Sequence, residues 1–261
     1  MGVKFEMDGA LAIATFDDPP LNLMGEAAIS GFEDAVALAV ENKARAFLTL
    51  ANGDHFCAGA HVIENFLEAD ANKGRRLINR VFAITQRFER LPIPTVVAVR
   101  GMCLGGGNEV AQLHDIIWAG ESAQFGQVEA RIGTATLLGG GARLVSRIGL
   151  ARAKEMVFSA NPYPAKTVLE WGLINRVLPD DQVEAKARAY AKGLSEGPTV
   201  AHAVNKAIVN AAAAYGLSAA DALTMDSAPQ TFDTEDMRDA VKRFAEGGTE
   251  ALFKGSVFKG R

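Results

Sequence analysis

"CLGGGNEVAQLHD", Cys103 to Asp115, decides how the rest of the chain is read. Three consecutive glycines, Gly105, Gly106 and Gly107, run into a carboxylate, Glu109, and then into an apolar segment with helical spacing. Just upstream, "TVVAV" (Thr95–Val99) is an unbroken β-branched run, the pattern of a strand buried on both faces. Just downstream, "DIIWAG" (Asp115–Gly120) is a second short apolar run. Strand, glycine turn, helix and strand in succession predict an α/β architecture.

Outward from this centre the same alternation continues. "KFEMDGALAIATFDDPP" (residues 4–20) alternates apolar and polar residues about Asp8-Gly9, which predicts a hairpin closed off by Pro19-Pro20. From Glu26 the period becomes helical, with Ile29, Phe32, Val36 and Val40 on one face. "RAFLTLAN" (residues 45–52) reads as a strand ending at an Asn-Gly turn. Leu77, Val81, Ile84, Phe88 and Leu91 step along one face of an amphipathic helix that Pro92 and Pro94 stop. After Pro198 only helical patterns remain, and Ser218 with Asp221 predicts a capped helix start. We therefore expect a core domain over 1–196 and a helical region over 197–261. No fixed-period repeat or low-complexity tract is visible.

Composition narrows the function. Hydrophobic residues make up 49% and charged residues 22%, which suits a chain that buries a sizeable core. The net charge of −4 argues against a general nucleic-acid binder. Two cysteines, Cys57 and Cys103, are too few for a disulfide framework, and no metal-ligand spacing surrounds them. No run of eighteen apolar residues and no basic-then-apolar leader occurs. The expectation is a soluble cytoplasmic protein without a membrane partner, a nucleic-acid partner or a metal.

Three roles compete for the glycines. Dinucleotide binding needs G-x-G-x-x-G, but Val110 stands at the third glycine position, and no Gly-Lys-Ser/Thr follows for a P-loop. A purely architectural role, a tight bend with close packing, would account for one glycine more readily than for three. The third role is an oxyanion site, because the first N–H groups of a helix have no internal partner and favour negative charge. A second donor is available in "FCAGAHV" (Phe56–Val62), whose small residues let backbone approach a ligand. Glu109, one turn into the helix, and Glu129, in "AQFGQVEARIG", are candidate acid–base groups if the fold brings them together. Like charges in a partly dry pocket would then separate their pKa values. The alternative, solvated or ion-paired surface glutamates, is the commoner fate of any single glutamate. His55, His61, His114 and His202 show no metal spacing, and no serine or cysteine sits in a nucleophile elbow.

Several of these stretches taken together resemble the crotonase, or enoyl-CoA hydratase/isomerase, superfamily. They are "PTVVAVRGMCLGGGNEVAQLHDIIWAGESAQFGQVEARIG", "NGDHFCAGAHV", "WGLINRVLP" (Trp171–Pro179) and the closing "FKGR", and the similarity covers essentially the whole chain. The resemblance implies a spiral of ββα units with a C-terminal helical trimerisation region, giving a homotrimer or homohexamer. It also implies an acyl-CoA substrate, no separate cofactor and a place in fatty acid metabolism. By position it implies oxyanion donors at Ala58 and Gly106, with the neighbouring glycines clearing room for the acyl-CoA. It places substrate contacts at Ala58, Gly59, Ala60, His61, Gly105, Gly106 and Leu137, and catalysis at Glu109 and Glu129.

Both glutamates together favour hydration of a 2-enoyl-CoA. Other enolate chemistry, such as isomerisation or hydrolysis, and a non-catalytic CoA-binding scaffold are the alternatives. Departures from the family pattern cluster after Glu129. "IGTATLLGGGARL" (residues 132–144) carries Thr136 and Leu137 where the hydratases usually have Pro and Gly. His61 stands where an aspartate is common, and Arg100 where an asparagine is frequent. Lys254 or Lys259 is the expected contact for the CoA phosphates.

Overall fold

Alternation in the opening residues produces the expected hairpin: β1 (Val3–Asp8) pairs antiparallel with β2 (Leu11–Phe16) about Gly9, whose φ is 61°. The structure, a computed structural model, describes residues 2–253 and 258–261. After the hairpin come α1 (Glu26–Glu41), β3 (Ala46–Ala51), α2 (Val62–Phe66), α3 (Ala71–Glu89), β4 (Thr95–Val99), β5 (Met102–Leu104) and α4 (Gly106–Gln112). β6 (Ile116–Gly120), β7 (Gln124–Gly126), a 3-10 turn at Glu129–Ile132, α5 (Gly140–Ser159), β8 (Tyr163–Pro164), α6 (Ala165–Trp171) and β9 (Arg176–Leu178) follow. α7 (Asp180–Ser195), α8 (Thr199–Tyr215), α9 (Leu217–Ser227) and α10 (Glu235–Phe253) complete the chain.

The main sheet runs β1-β2-β3-β4-β6-β9 and is parallel from β2 onward. Both faces are covered, as the unbroken apolar run of β4 requires. On one face Phe16, Phe32, Phe47 and Phe88 from the sheet, α1 and α3 stack ring against ring, with centroids 5.2–6.3 Å apart. On the other face Leu11, Leu48, Val96 and Trp118 pack on Val183, Ala187 and Ala191 of α7. Burying apolar side chains of this size stabilises by about 1.5–3 kcal/mol each before chain entropy is counted.

A second, three-stranded sheet, β5-β7-β8, lies beside the first. Four main strands, β2, β3, β4 and β6, feed this layer and then a helical segment. β2 leads to Met24 and α1; β3 leads to Cys57–Ala60 and α2; β4 leads to β5 and α4; β6 leads to β7 and the 3-10 turn. Bridges between Met24 and Ala60 and between Cys57 and Cys103 stitch the short segments into one ladder. This is a spiral of β-β-helix units whose turns have unequal lengths, so no fixed sequence period marks it.

Two local expectations change, those for Val40 and Ser218. Val40 is 60% exposed near the end of α1, and Ala28, Ala35 and Ala39 complete the buried face instead. Ser218 lies inside α9, which begins after Gly216 (φ 86°) with no side-chain cap. Lys254 falls outside the described residues, whereas Lys259 is paired with Glu235 at 2.9 Å and Asp239 at 3.5 Å. Beyond Ser195 the described residues form helices and one 3-10 turn. α8 is tied to the sheet by Lys206, whose Nζ donates to Asp115 Oδ2 (2.8 Å) and to the Ile93 carbonyl (3.0 Å).

Candidate active site

The glycine cluster sits where β5 ends and α4 begins, and each glycine meets a different demand. Gly105 has φ 50° and ψ −123°, a conformation that a side chain would strain. Its N–H donates to the Gly126 carbonyl (2.8 Å), which locks the turn onto β7. A Cβ on Gly107 would lie 2.7 Å from Cys57 Cβ, so this residue allows close packing against the β3 extension. Room for substrate, expected of both neighbours, is therefore not what Gly107 supplies.

Gly106 faces the other way, into a cavity of about 240 Å³. A Cβ there would approach Met24 Sδ at 3.2 Å and the backbone nitrogen of Ala60 at 3.8 Å. The N–H of Ala58, expected as the partner donor, is already given to the Leu21 carbonyl at 2.9 Å. That assignment moves to Ala60. Met24 donates to the Gly59 carbonyl and accepts from His61 N–H, fixing the chain on either side of Ala60. The N–H groups of Ala60 and Gly106 have no acceptor among the described residues. Two unpaired donors side by side at a cavity wall have the form of an oxyanion site.

Glu109, one turn into α4, is 1% exposed. Its Oε1 accepts N–H bonds from Leu138 (2.9 Å) and Gly140 (2.8 Å), and its Oε2 accepts from Leu137 (3.2 Å). The altered loop after Glu129 thus holds Glu109 through backbone, independent of side-chain identity at 136 and 137. The Leu137 side chain lines the cavity, while Thr136 Oγ1 accepts from Gly141 N–H at 3.3 Å. Burial pushes the Glu109 carboxyl up to about 7, and the Glu129 charge adds to the rise against those three N–H bonds.

Glu129 lines the same cavity from the 3-10 turn, near enough to Glu109 for its charge to act on that carboxyl. Burial raises the Glu129 carboxyl as well. Gln127 Nε2 lies 3.5 Å from Glu129 Oε1, and Gln127 Oε1 accepts from Asn108 Nδ2 at 2.7 Å. Glu129 Oε2 has no donor among the described residues. Two glutamates from separate units therefore share one pocket, and burial raises the proton affinity of both.

Of the expected contact residues, Ala58, Gly59, Ala60, Gly105, Gly106 and Leu137 line the cavity. His61 does not line it; its Nδ1 accepts from Glu64 N–H and caps α2. Met24, Ile29, Leu77, Val81 and Leu138 give the remaining wall an apolar stretch, with Asn65, Arg131 and Thr134 elsewhere on it. The sequence signal for Ile29, Leu77 and Val81 is the apolar stripe of α1 and α3, which reads equally as core. Among the described residues no cluster of His, Cys, Asp and Glu has metal-site geometry, and no helix is long and apolar enough to cross a membrane.

Comparison with known proteins places this geometry. The chain is 32% identical over 251 residues to the short-chain-enoyl-CoA hydratase of Clostridium acetobutylicum, covering 94% of each. It is 30% identical over 250 residues to a Dictyostelium discoideum protein named "Probable enoyl-CoA hydratase, mitochondrial", covering 94% of this chain and 88% of the relative. The crystal structure of an enoyl-CoA hydratase subunit from Geobacillus kaustophilus superposes with a TM-score of 0.91 at 27% identity, covering 100% of this chain and 99% of that one. The sequence pattern describing enoyl-CoA hydratase/isomerase matches residues 6–255, and the chain belongs to that family.

Proposed function

We propose that the protein is an enoyl-CoA hydratase, adding water across the 2,3 double bond of a 2-enoyl-CoA. The observation that carries this reading is that Glu109 and Glu129 line one cavity together with Ala60 and Gly106, whose N–H groups are unpaired. The thioester carbonyl oxygen accepts from those two donors, which stabilise the charge that develops there as an enolate forms. The ionised carboxyl of the pair takes a proton from water as its oxygen bonds to C3. The protonated carboxyl gives its proton to C2, so water is added in full and the pair regains its single proton. With both carboxyls drawn from one cavity wall, the proposed reaction adds the two groups to the same face. The oxyanion donors supply the electrophilic pull, so the proposed reaction uses no cofactor beyond the CoA carried by the substrate. Loss of enoyl-thioester absorbance on mixing with crotonyl-CoA, together with identification of the 3-hydroxyacyl product, tests the reaction.

We further propose that residues 197–261 serve assembly into a homotrimer or a pair of trimers. Tyr215, Leu217, Met225 and Phe232 are exposed there, more apolar surface than a monomeric helical appendage needs. The unbridged buried thiols of Cys57 and Cys103, neighbours across a ladder rung, support a reducing compartment such as the cytoplasm.

A further inference from the structure

Behind the active-site cavity lies a second cavity of about 20 Å³, and Met24, Ile29, Val81 and Leu138 form walls of both. The smaller cavity is apolar except for Thr85 of α3, which is 1% exposed and whose Oγ1 has no hydrogen-bond partner. A threonine in mid-helix ordinarily turns its hydroxyl back to the carbonyl four residues earlier. Thr85 does not, so a desolvated hydroxyl is left without compensation beside a space large enough for one water-sized group. Water suits that space poorly, because it needs at least two polar partners and the walls provide one. No lysine, arginine or histidine lines the cavity, so a carboxylate there would be an unpaired buried charge. An uncharged oxygen carried on an otherwise apolar chain fits both constraints.

We propose that the substrate's acyl chain passes the four shared side chains and ends in this second cavity. There Thr85 hydrogen-bonds an uncharged oxygen, a hydroxyl or a ketone, at the far end of the chain. Thr85 is then a specificity-determining residue, and the inference rests on the acyl-CoA reading above. Leu138 ties this recognition to the chemistry, since it lines both cavities while its N–H holds Glu109.

Calorimetric binding of saturated acyl-CoAs, which have no double bond to hydrate, tests the proposal separately from the reaction. Straight-chain acyl-CoAs of about four to eight carbons are paired with their terminally hydroxylated or penultimate-keto counterparts. At one chain length the wild type should bind the oxygenated member roughly tenfold more tightly than the alkyl member, one hydrogen bond's worth of discrimination. Thr85→Val, equal in shape, should abolish or invert that preference, and Thr85→Ser should retain it. An unchanged ratio in Thr85→Val overturns the proposal, as does a wild type that prefers the alkyl chain at every length. Failure of the wild type to bind any acyl-CoA removes the acyl-CoA reading with it. Tight binding with correct discrimination but no hydration of crotonyl-CoA leaves this proposal standing and removes only the hydratase assignment.

Discussion

Glu109 Oε1 accepts the N–H of Leu138 at 2.9 Å, and the side chain of the same leucine walls the substrate cavity. The proposed acid–base group and the proposed acyl pocket are therefore positioned by one loop, which also supplies the N–H groups of Leu137 and Gly140 to the carboxyl. A carboxyl buried among such donors is held in place while its proton affinity is set by burial and by Glu129.

Titration should report that arrangement directly. Glu109 is expected to titrate near about 7, well above the usual carboxylate range. Glu129→Gln removes the nearby charge that contributes to the rise, so the Glu109 midpoint should move to lower pH. Carbon-13 NMR of labelled glutamate side chains reads both values. A Glu109 midpoint indifferent to Glu129→Gln would mean that the two carboxyls do not interact.

The same shift has a consequence for stability. In the unfolded chain Glu109 ionises near 4.5, whereas in the fold it keeps its proton up to about 7. Raising the pH between those values ionises the unfolded state first, so native stability falls across the window and the deficit is complete above it. Its upper limit is ~3 kcal/mol, at roughly 1.4 kcal/mol per pH unit. Glu109→Gln has no such deficit, so its Tm relative to wild type should be higher at about pH 8 than at about pH 5. A difference that does not vary with pH would contradict the burial argument.

How much of this was legible in sequence depends on whether the determinant is local. The strand, glycine turn and Glu109-bearing helix are written in adjacent residues, whereas Glu129 is legible only as a candidate carboxylate, and that it meets Glu109 is implied by the resemblance alone. Which alanine of "CAGA" offers a free N–H is decided by Leu21 and Met24, some forty residues away, and so was missed. Gly107 was given to substrate because nothing local shows that Cys57 packs against it. The apolar acyl wall is spelled like core because physically it is core until a ligand separates its faces.

Gly107→Ala should test the packing role. Its Cβ would sit 2.7 Å from Cys57 Cβ in a helix buried along its whole length, where nothing flexible can yield. Overpacking of this kind costs about 1–3 kcal/mol. Chemical denaturation should show that loss, and an unchanged midpoint would show that the two segments are not in close contact.

Leu137 occupies the cavity where the resemblance leads one to expect glycine. Leu137→Gly keeps the N–H to Glu109 and removes only the side chain from the wall. Relative kcat/KM should shift by about tenfold toward branched or longer enoyl-CoAs, the scale of a few methylenes in an apolar pocket. Equal changes for all chain lengths would place Leu137 outside the acyl path.

Steady-state hydration by the wild type, Glu109→Gln and Glu129→Gln bears on the two-carboxyl mechanism most directly. Each glutamine preserves size and removes the proton-transfer role, which typically supplies ~10²–10⁴ in rate. Both single variants should lose kcat by that amount while binding saturated acyl-CoA with little change. If either variant hydrates crotonyl-CoA at close to the wild-type rate, its carboxyl takes no part in the chemistry and the paired mechanism is wrong.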